Sequence, residues 1–199
     1  MADGRRGDRA RALAGAGGVV ALTAAWAGAG LTTTGFDPVR QSISQLQRDG
    51  TATGAVMTTA FVAFAAGGLL FAPVLRRRLG RAPAVVLAVA CVATLGAAAS
   101  PLGEVRGGAQ DVLHLTFGST GYLSLSVLPL LGAWHLRGRA RVASYGLGAV
   151  ASVCLLGTVP ADAVSGALQR AGFLAGHLWL LGACVAVLRR QPQDAGALS

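Results

Sequence analysis

Long apolar runs alternate with short polar segments along the whole chain. Each run approaches or exceeds the about 20 apolar residues that a helix needs to cross a bilayer. We therefore predict an all-α fold, an integral membrane bundle of six transmembrane helices. The predicted spans cover residues 13–31, 52–75, 82–102, 112–136, 142–161 and 171–188. They form a single domain, 13–190, between a basic N-terminus, 1–12, and a polar tail, 191–199.

The first apolar run, Leu13 to Leu31, has two interpretations. The small residues around Trp26 resemble the cleavage site of a secretory signal peptide. However, the run has 19 residues, and the apolar core of a signal peptide has about 7–15. We interpret the run as a retained first helix.

Arginine predicts how the bundle is oriented. The chain has a net charge of +9 with only 13% charged residues, and all 17 basic residues are arginines. With six alternating spans, thirteen arginines fall on the side of the two termini: Arg5, Arg6, Arg9, Arg11, Arg76, Arg77, Arg78, Arg81, Arg137, Arg139, Arg141, Arg189 and Arg190. Four fall on the other side: Arg40, Arg48, Arg106 and Arg170. Because basic loops stay in the cytoplasm, we expect both termini inside. Arginines clustered between apolar runs also favour a membrane role over nucleic-acid binding.

The loop at 34–51 is the longest polar segment between the two charged ends. Its core reads GFDPVRQSISQLQRDG, from Gly35 to Gly50. Pro38 fixes its own φ and moves Asp37 out of the α region, which predicts a turn. Ser42 to Gln47 is predicted to form a short interfacial helix, and the loop is predicted to cap the outer end of the bundle.

Two spans carry ionisable residues that could meet under this loop. Asp111 and His114 are three residues apart and share one helix face. Arg170 and His177 are seven apart on the last span, and His177 lies near mid-membrane by residue count. Ionisable groups at that depth usually face the bundle interior and serve a function. For His177, a structural hydrogen bond, ligand or proton chemistry, and metal binding remain open.

The candidate site residues follow from this placement. The catalytic candidates are Asp111, His114 and His177, with His114 oriented by Asp111 for acid–base chemistry. The ligand-binding candidates are Asp37, Arg40, Ser44 and Arg170. No metal site is predicted, since the zinc spacings HxxxH and HExxH do not occur in the sequence. No cofactor is predicted either.

The polar loop resembles the signature of a bacterial membrane family, Domain of Unknown Function 998, written Y-D-P-x-R-x-x-I-S-x-L. The matching positions are Asp37, Pro38, Arg40, Ile43, Ser44 and Leu46, with Phe36 in place of the tyrosine. His114 opens the fourth span as the family's histidine does. Gln169-Arg170 stands where the family often has Glu-Arg, so one carboxylate is missing. The resemblance implies a six-helix protein of the bacterial plasma membrane without a settled activity.

The sequence leaves three classes of function open. The first is a binding protein whose outward-facing polar pocket holds a lipid or small amphiphile, or a membrane-protein partner. The second is an intramembrane enzyme acting on a lipid or isoprenoid substrate. The third is a small proton-coupled transporter with His177 as its proton site. The expected partners are the bilayer, a lipid or isoprenoid ligand, and a second copy of the chain or another membrane protein, but no nucleic acid.

Overall fold

The computed structural model describes residues 2–48, 50–103 and 107–189. Within them the chain is helical and contains no strand beyond one isolated bridge. The helices are α1 (Ala2–Thr32), α2 (Ala52–Leu79), α3 (Arg81–Ala99), α4 (Ala109–Ala133), α5 (Gly138–Gly157) and α6 (Ser165–Arg189). All six are long and apolar enough to cross a membrane, which confirms the predicted fold class. The tail 191–199 and the loop residues Asp49, Glu104 and Arg106 lie outside the described residues.

Most helix ends differ from the predicted spans by a few residues, and three of the differences matter here. α1 begins at Ala2, so the basic segment 2–12 continues the first helix instead of preceding it. α2 runs through its arginines, and only Gly80, at φ +84°, separates it from α3. A positive φ breaks the helix, and glycine adopts it without strain. α6 begins at Ser165, which places Arg170 inside the helix.

The six helices form a closed ring. Each helix packs on the next one in the chain, and α6 returns to pack on α1. α6 also contacts α4 across the ring. The first, fourth and sixth helices are therefore neighbours around one volume, although they are distant in sequence.

Glycine allows α1 and α2 to approach at backbone distance. A Cβ placed on Gly67 would lie 2.3 Å from the carbonyl oxygen of Ala14, and one placed on Gly18 would lie 2.7 Å from that of Ala63. Larger side chains would separate the two helices. Small residues play this role in membrane bundles, where helix association depends on close packing.

The bundle has two distinct ends. The end formed by residues 33–48, 100–103 and 158–164 is here called the loop end. The opposite end is called the arginine end; it holds the α2–α3 turn, the α4–α5 turn, the start of α1 and the close of α6. Arg77 of α2 forms an ion pair with Asp8 of α1 there, so the first helix begins at the same end at which the second finishes.

Candidate functional site

The polar loop begins with the turn that the sequence predicts at Asp37-Pro38. The Asp37 carboxylate accepts the backbone N–H of Val39 at 2.9 Å, and the Asp37 carbonyl accepts that of Gln41 at 2.7 Å. The Gln41 side chain in turn accepts the N–H of Asp37. Arg40 approaches Asp37 to 3.7 Å, but its side chain is 71% exposed, and exposed pairs of this kind stabilise little. Asp37 therefore shapes the loop.

Arg170 fastens this turn to α6. The two N–H protons of its Nη1 are shared among the carbonyl oxygens of Pro38, Gln41 and Gly166, which lie 2.8–2.9 Å from this nitrogen. Its guanidinium also lies 5.9 Å from the ring of Trp26. The Nη2 is buried and has no hydrogen-bond partner within the described parts of the chain. The side chain thus joins the loop, α6 and α1.

Further hydrogen bonds attach the loop to the first turns of α6. Ser165 donates its hydroxyl to the carbonyl of Arg40 at 2.9 Å. The side-chain oxygen of Gln169 accepts the backbone N–H of Ile43 at 2.7 Å, where the short 3-10 helix Ile43–Leu46 begins. An amide oxygen accepts this bond as a carboxylate would.

Gln47 closes the loop against the other side of the bundle. It is fully buried, and its amide donates to the hydroxyl of Thr58 at 3.0 Å and to the carbonyl of Ala98 at 3.3 Å. Its backbone carbonyl accepts the N–H of Leu102. The loop is therefore held by α2, α3 and α6 together and forms a fixed cover over the ring.

A cavity of about 160 Å³ lies beneath this cover. All six α-helices and the 3-10 helix contribute lining residues. One water molecule needs about 10–15 Å³ of such space, so the cavity can hold a small polar head group. Its polar or aromatic lining residues are Trp26, Ser44, Phe61, His114, Ser119, Tyr122, Thr158, Gln169, Phe173 and His177. The rest of the lining is apolar or glycine.

His177 is held deep in the wall of this cavity. Only 1% of it is exposed, and its ring lies 5.4 Å from Phe64 and 5.9 Å from Phe173. The Thr23 hydroxyl donates its single proton to the carbonyl of Val19 at 2.8 Å. We assign Thr23 as the acceptor from His177 Nδ1, which lies 2.9 Å away, because its one proton is placed on Val19. In this neutral tautomer Nε2 is an acceptor, and it has no partner in the described chain.

Trp26 contributes a second unpartnered nitrogen. It lies on α1, three residues beyond Thr23 and so on the same helix face. Its indole is 8% exposed, and Nε1 is buried without a hydrogen-bond acceptor in the described structure. Buried indole N–H groups usually find a partner, but this one is unpaired. Two residues that line the same cavity therefore carry an unpaired donor and an unpaired acceptor.

His114 and Asp111 have separate partners. The Nδ1 of His114 donates to the carbonyls of Ser100 at 2.8 Å and Ala97 at 3.2 Å, and so satisfies orphan carbonyls at the end of α3. The Asp111 carboxylate accepts the backbone N–H groups of Gly103 and Gly107. In the structure, His114 is thus oriented by α3 and not by Asp111. With the proton on Nδ1, Nε2 of the neutral ring is an acceptor.

The cavity opens to the side of the bundle between α4 and α5. Leu115 and Ser119 of α4 line it and are themselves exposed, Leu115 to 59%. Leu155 of α5 lines the facing edge and is partly exposed. In a membrane, exposed residues of these helices face acyl chains.

The structure brings together some of the predicted site residues. Three line the cavity: Ser44, His114 and His177. Four are outside its lining: Asp37, Arg40, Asp111 and Arg170. Their roles in ligand binding or catalysis stay predictions. Sequence reasoning missed Trp26, Tyr122 and Phe173, which are apolar or aromatic residues inside predicted spans. The only sequence signal for Trp26 was its position three residues after Thr23, a threonine in the middle of the first span.

Among the described residues, no three histidine, cysteine, aspartate or glutamate side chains lie close enough to hold a metal ion. Cys91, Cys154 and Cys184 are each buried as free thiols. The polar groups around the cavity are suited to hydrogen bonding.

Six membrane-length helices around a covered cavity define a multi-pass membrane protein. Among protein families, the model described as Protein of unknown function (DUF998) matches residues 9–186. The chain belongs to that family, as its polar loop predicted. No curated protein and no solved structure matches the chain.

Proposed function

We propose that this protein binds an amphiphile and holds its hydroxyl-bearing head group in the cavity beneath the polar loop. One observation carries the proposal. The cavity lining includes His177 and Trp26, whose Nε2 and Nε1 are buried and have no hydrogen-bond partner in the described chain. A buried polar group left unpaired costs about 1–3 kcal/mol, so a ligand that pairs both is stabilised.

A hydroxyl group matches this pair of nitrogens. It donates one hydrogen bond and accepts others, so it can donate to His177 and accept from Trp26. A carboxylate or a phosphodiester group has only acceptors at neutral pH and leaves His177 Nε2 unpaired. Glycerol, sugar and isoprenoid-alcohol head groups have the required chemistry.

The surroundings select an amphiphile over a water-soluble polyol. The lining is mostly apolar or aromatic, and the opening between α4 and α5 faces the bilayer. The fixed loop covers the cavity from above, through Arg170 and Gln169. A ligand that enters laterally keeps its apolar tail among lipids while its head group occupies the cavity.

The distribution of arginine supports an orientation for this site. Basic loops remain on the cytoplasmic side, and arginines crowd the end that also holds the start of α1 and the close of α6. We therefore place both termini in the cytoplasm of a bacterial cell and the cavity in the outer half of its plasma membrane.

The test fills the cavity without disturbing the backbone. A Cβ on Gly118 would meet no heavy atom within 4 Å, and Gly118 lines the cavity. Gly146 has equal space but lies exposed on α5, outside the lining. Lipids that co-purify in native membrane discs are identified by mass spectrometry for wild type, Gly118→Leu and Gly146→Leu. We expect a hydroxylated amphiphile enriched in wild type and in Gly146→Leu, and reduced about tenfold or more in Gly118→Leu.

Two results would overturn the proposal. Identical lipid profiles in the three proteins would show that the cavity holds no amphiphile. An enriched species lost equally from Gly118→Leu and Gly146→Leu would show that it binds elsewhere. Thermal unfolding of the three variants in detergent verifies that each is folded, since both substitutions point into open space.

An intramembrane enzyme is the second candidate function. The observation that favours it is that two imidazoles, His114 and His177, line one cavity. A neutral histidine with a free nitrogen can act as a general base, and such catalysis needs the base within hydrogen-bond reach of the substrate. If so, His114→Gln retains the enriched amphiphile while its conversion, followed by mass spectrometry over time, stops. Unchanged conversion would exclude His114 from the chemistry.

A further inference from the structure

A second and larger cavity lies at the arginine end. It measures about 570 Å³ and is bounded by α2, α5, α6 and the α4–α5 turn. This volume is within the range of about 300–1,000 Å³ typical of sites for small organic ligands. It shares no lining residue with the cavity at the loop end.

The deep part of this cavity is lined by apolar side chains and by polar groups that are already paired. Phe71, Leu75 and Val187 line it without polar atoms. Its two polar lining groups in this region are already paired: Trp179 Nε1 donates to Ser144 Oγ at 2.5 Å, and Ser144 donates to the carbonyl of Pro129 at 2.7 Å. The deep part therefore suits a hydrocarbon chain.

The mouth of the cavity is basic. Arg77, Arg78 and His135 line it, and all three are exposed. Arg77 is paired with Asp8. Arg78 has neither an ion pair nor a hydrogen bond to another described side chain, so its guanidinium is available. Acidic residues are absent from the lining, which leaves a net positive mouth over an apolar floor.

The cavity is also open along the side of the bundle. Leu178 of α6 lines it and is 56% exposed, and Gly182, one turn further, is exposed as well. On α5, the lining residues Ala140 and Ala143 are exposed. An acyl chain can therefore enter between α5 and α6 from the surrounding bilayer, with its head group at the level of the arginines.

We infer that this groove binds an anionic phospholipid of the leaflet at the arginine end. One acyl chain lies over Phe71 and Leu75 between α5 and α6, and the phosphate contacts Arg78, with Arg77 and His135 beside it. Basic pockets between helices bind anionic head groups, and each arginine near the surface favours them. This ligand differs from that of the loop end in charge, in leaflet and in every residue that contacts it.

The test uses lipids of defined head group. The protein is delipidated in detergent and titrated with phosphatidylglycerol or phosphatidylcholine of the same acyl chains, and bound lipid is counted by native mass spectrometry. We expect wild type to retain one phosphatidylglycerol in preference to phosphatidylcholine. Arg78→Gln should lower that preference about fivefold. Arg81→Gln removes the same charge at the same end from outside the lining, and should leave the preference unchanged.

A second variant tests the groove itself. A Cβ on Gly182 would meet no heavy atom within 4 Å, so Gly182→Leu fills the groove without a clash and should abolish the tight phosphatidylglycerol, whereas Gly146→Leu should retain it. Equal losses in Arg78→Gln and Arg81→Gln would reduce the effect to general surface charge and overturn the inference. The inference would also be overturned if inorganic phosphate displaced phosphatidylglycerol and if binding did not depend on Gly182. The site would then bind a free anion and not a lipid.

Discussion

At the loop end, several charged side chains form hydrogen bonds within the protein, whereas at the arginine end most charged side chains are exposed. Arg170 donates to three carbonyl oxygens, and Asp37 and Asp111 accept backbone N–H groups of the loops. At the other end, Arg78 lines an open groove without a protein partner. Among the described arginines of that end, only Arg77 forms an ion pair, with Asp8.

This difference separates two uses of charge in one membrane protein. At the loop end, charge organises the backbone, and the groups left unpaired for a ligand include the neutral nitrogens of Trp26 and His177. At the arginine end, the interior polar groups are paired and the charges remain for a ligand. The loop end should therefore recognise a neutral hydroxylated head group, and the arginine end an anionic one.

The largest effect is expected from Arg170→Met. It removes hydrogen bonds to three carbonyls and should lower the free energy of unfolding by about 3 kcal/mol, because bonds to charged groups contribute about 1.5–3 kcal/mol each and these three share one nitrogen. The measurement is SDS denaturation in detergent micelles. Arg40→Met, on an exposed side chain of the same loop, should change it by less than about 0.5 kcal/mol. Equal effects would contradict a structural role for Arg170.

An intermediate effect is expected from Gly166→Ala. The new Cβ would lie 2.3 Å from the carbonyl oxygen of Gln41 and 2.8 Å from that of Pro38. Both are backbone atoms of a fixed loop, so relief needs a backbone shift that costs about 1–3 kcal/mol. Gly118→Ala, which meets nothing, should instead be neutral or stabilising by up to about 1 kcal/mol. The same denaturation assay compares them, and a stable Gly166→Ala would show that the loop is not fixed on α6.

The smallest effect is expected from Ser144→Ala at the arginine end. It leaves the Trp179 indole N–H and the Pro129 carbonyl without their shared partner. Interhelical hydrogen bonds in membranes contribute about 0.6 kcal/mol on average and up to about 1.7, so a loss of about 1 kcal/mol is expected. Ser152→Ala on the same helix is the control. The same SDS denaturation assay compares the two variants, and equal effects of Ser144→Ala and Ser152→Ala would count against this bond.

The sequence predicted the helices but not the residues that meet inside them. Run length and the arginine clusters were sufficient for six spans, because a helix in lipid must satisfy its own backbone and be apolar throughout. Because such a helix is apolar throughout, the sequence does not distinguish the face that packs inside the bundle. When apolar residues surround a helix, its pattern no longer shows which side packs inward. The close contact of α6 with α1 and α4 therefore could not be predicted from the sequence.

The candidate site illustrates the same limit at single residues. Asp37, Arg40 and Asp111 attracted attention as rare charges, yet their side chains or backbone groups bind the loops. His177 was singled out by its depth, and it lines the cavity. Trp26 was considered only within an apolar run and a possible cleavage site, since its unpaired N–H becomes visible only when its neighbours are placed.

The most direct test of the account is an experimental density map of the protein in native membrane discs, at a resolution that shows side chains and bound lipid. The account predicts density in the cavity at the loop end, continuous with an acyl chain between α4 and α5, with a polar atom within about 3.2 Å of both His177 Nε2 and Trp26 Nε1. A cavity that is closed by side chains, or that contains only separate water molecules in contact with these two nitrogens, would contradict it.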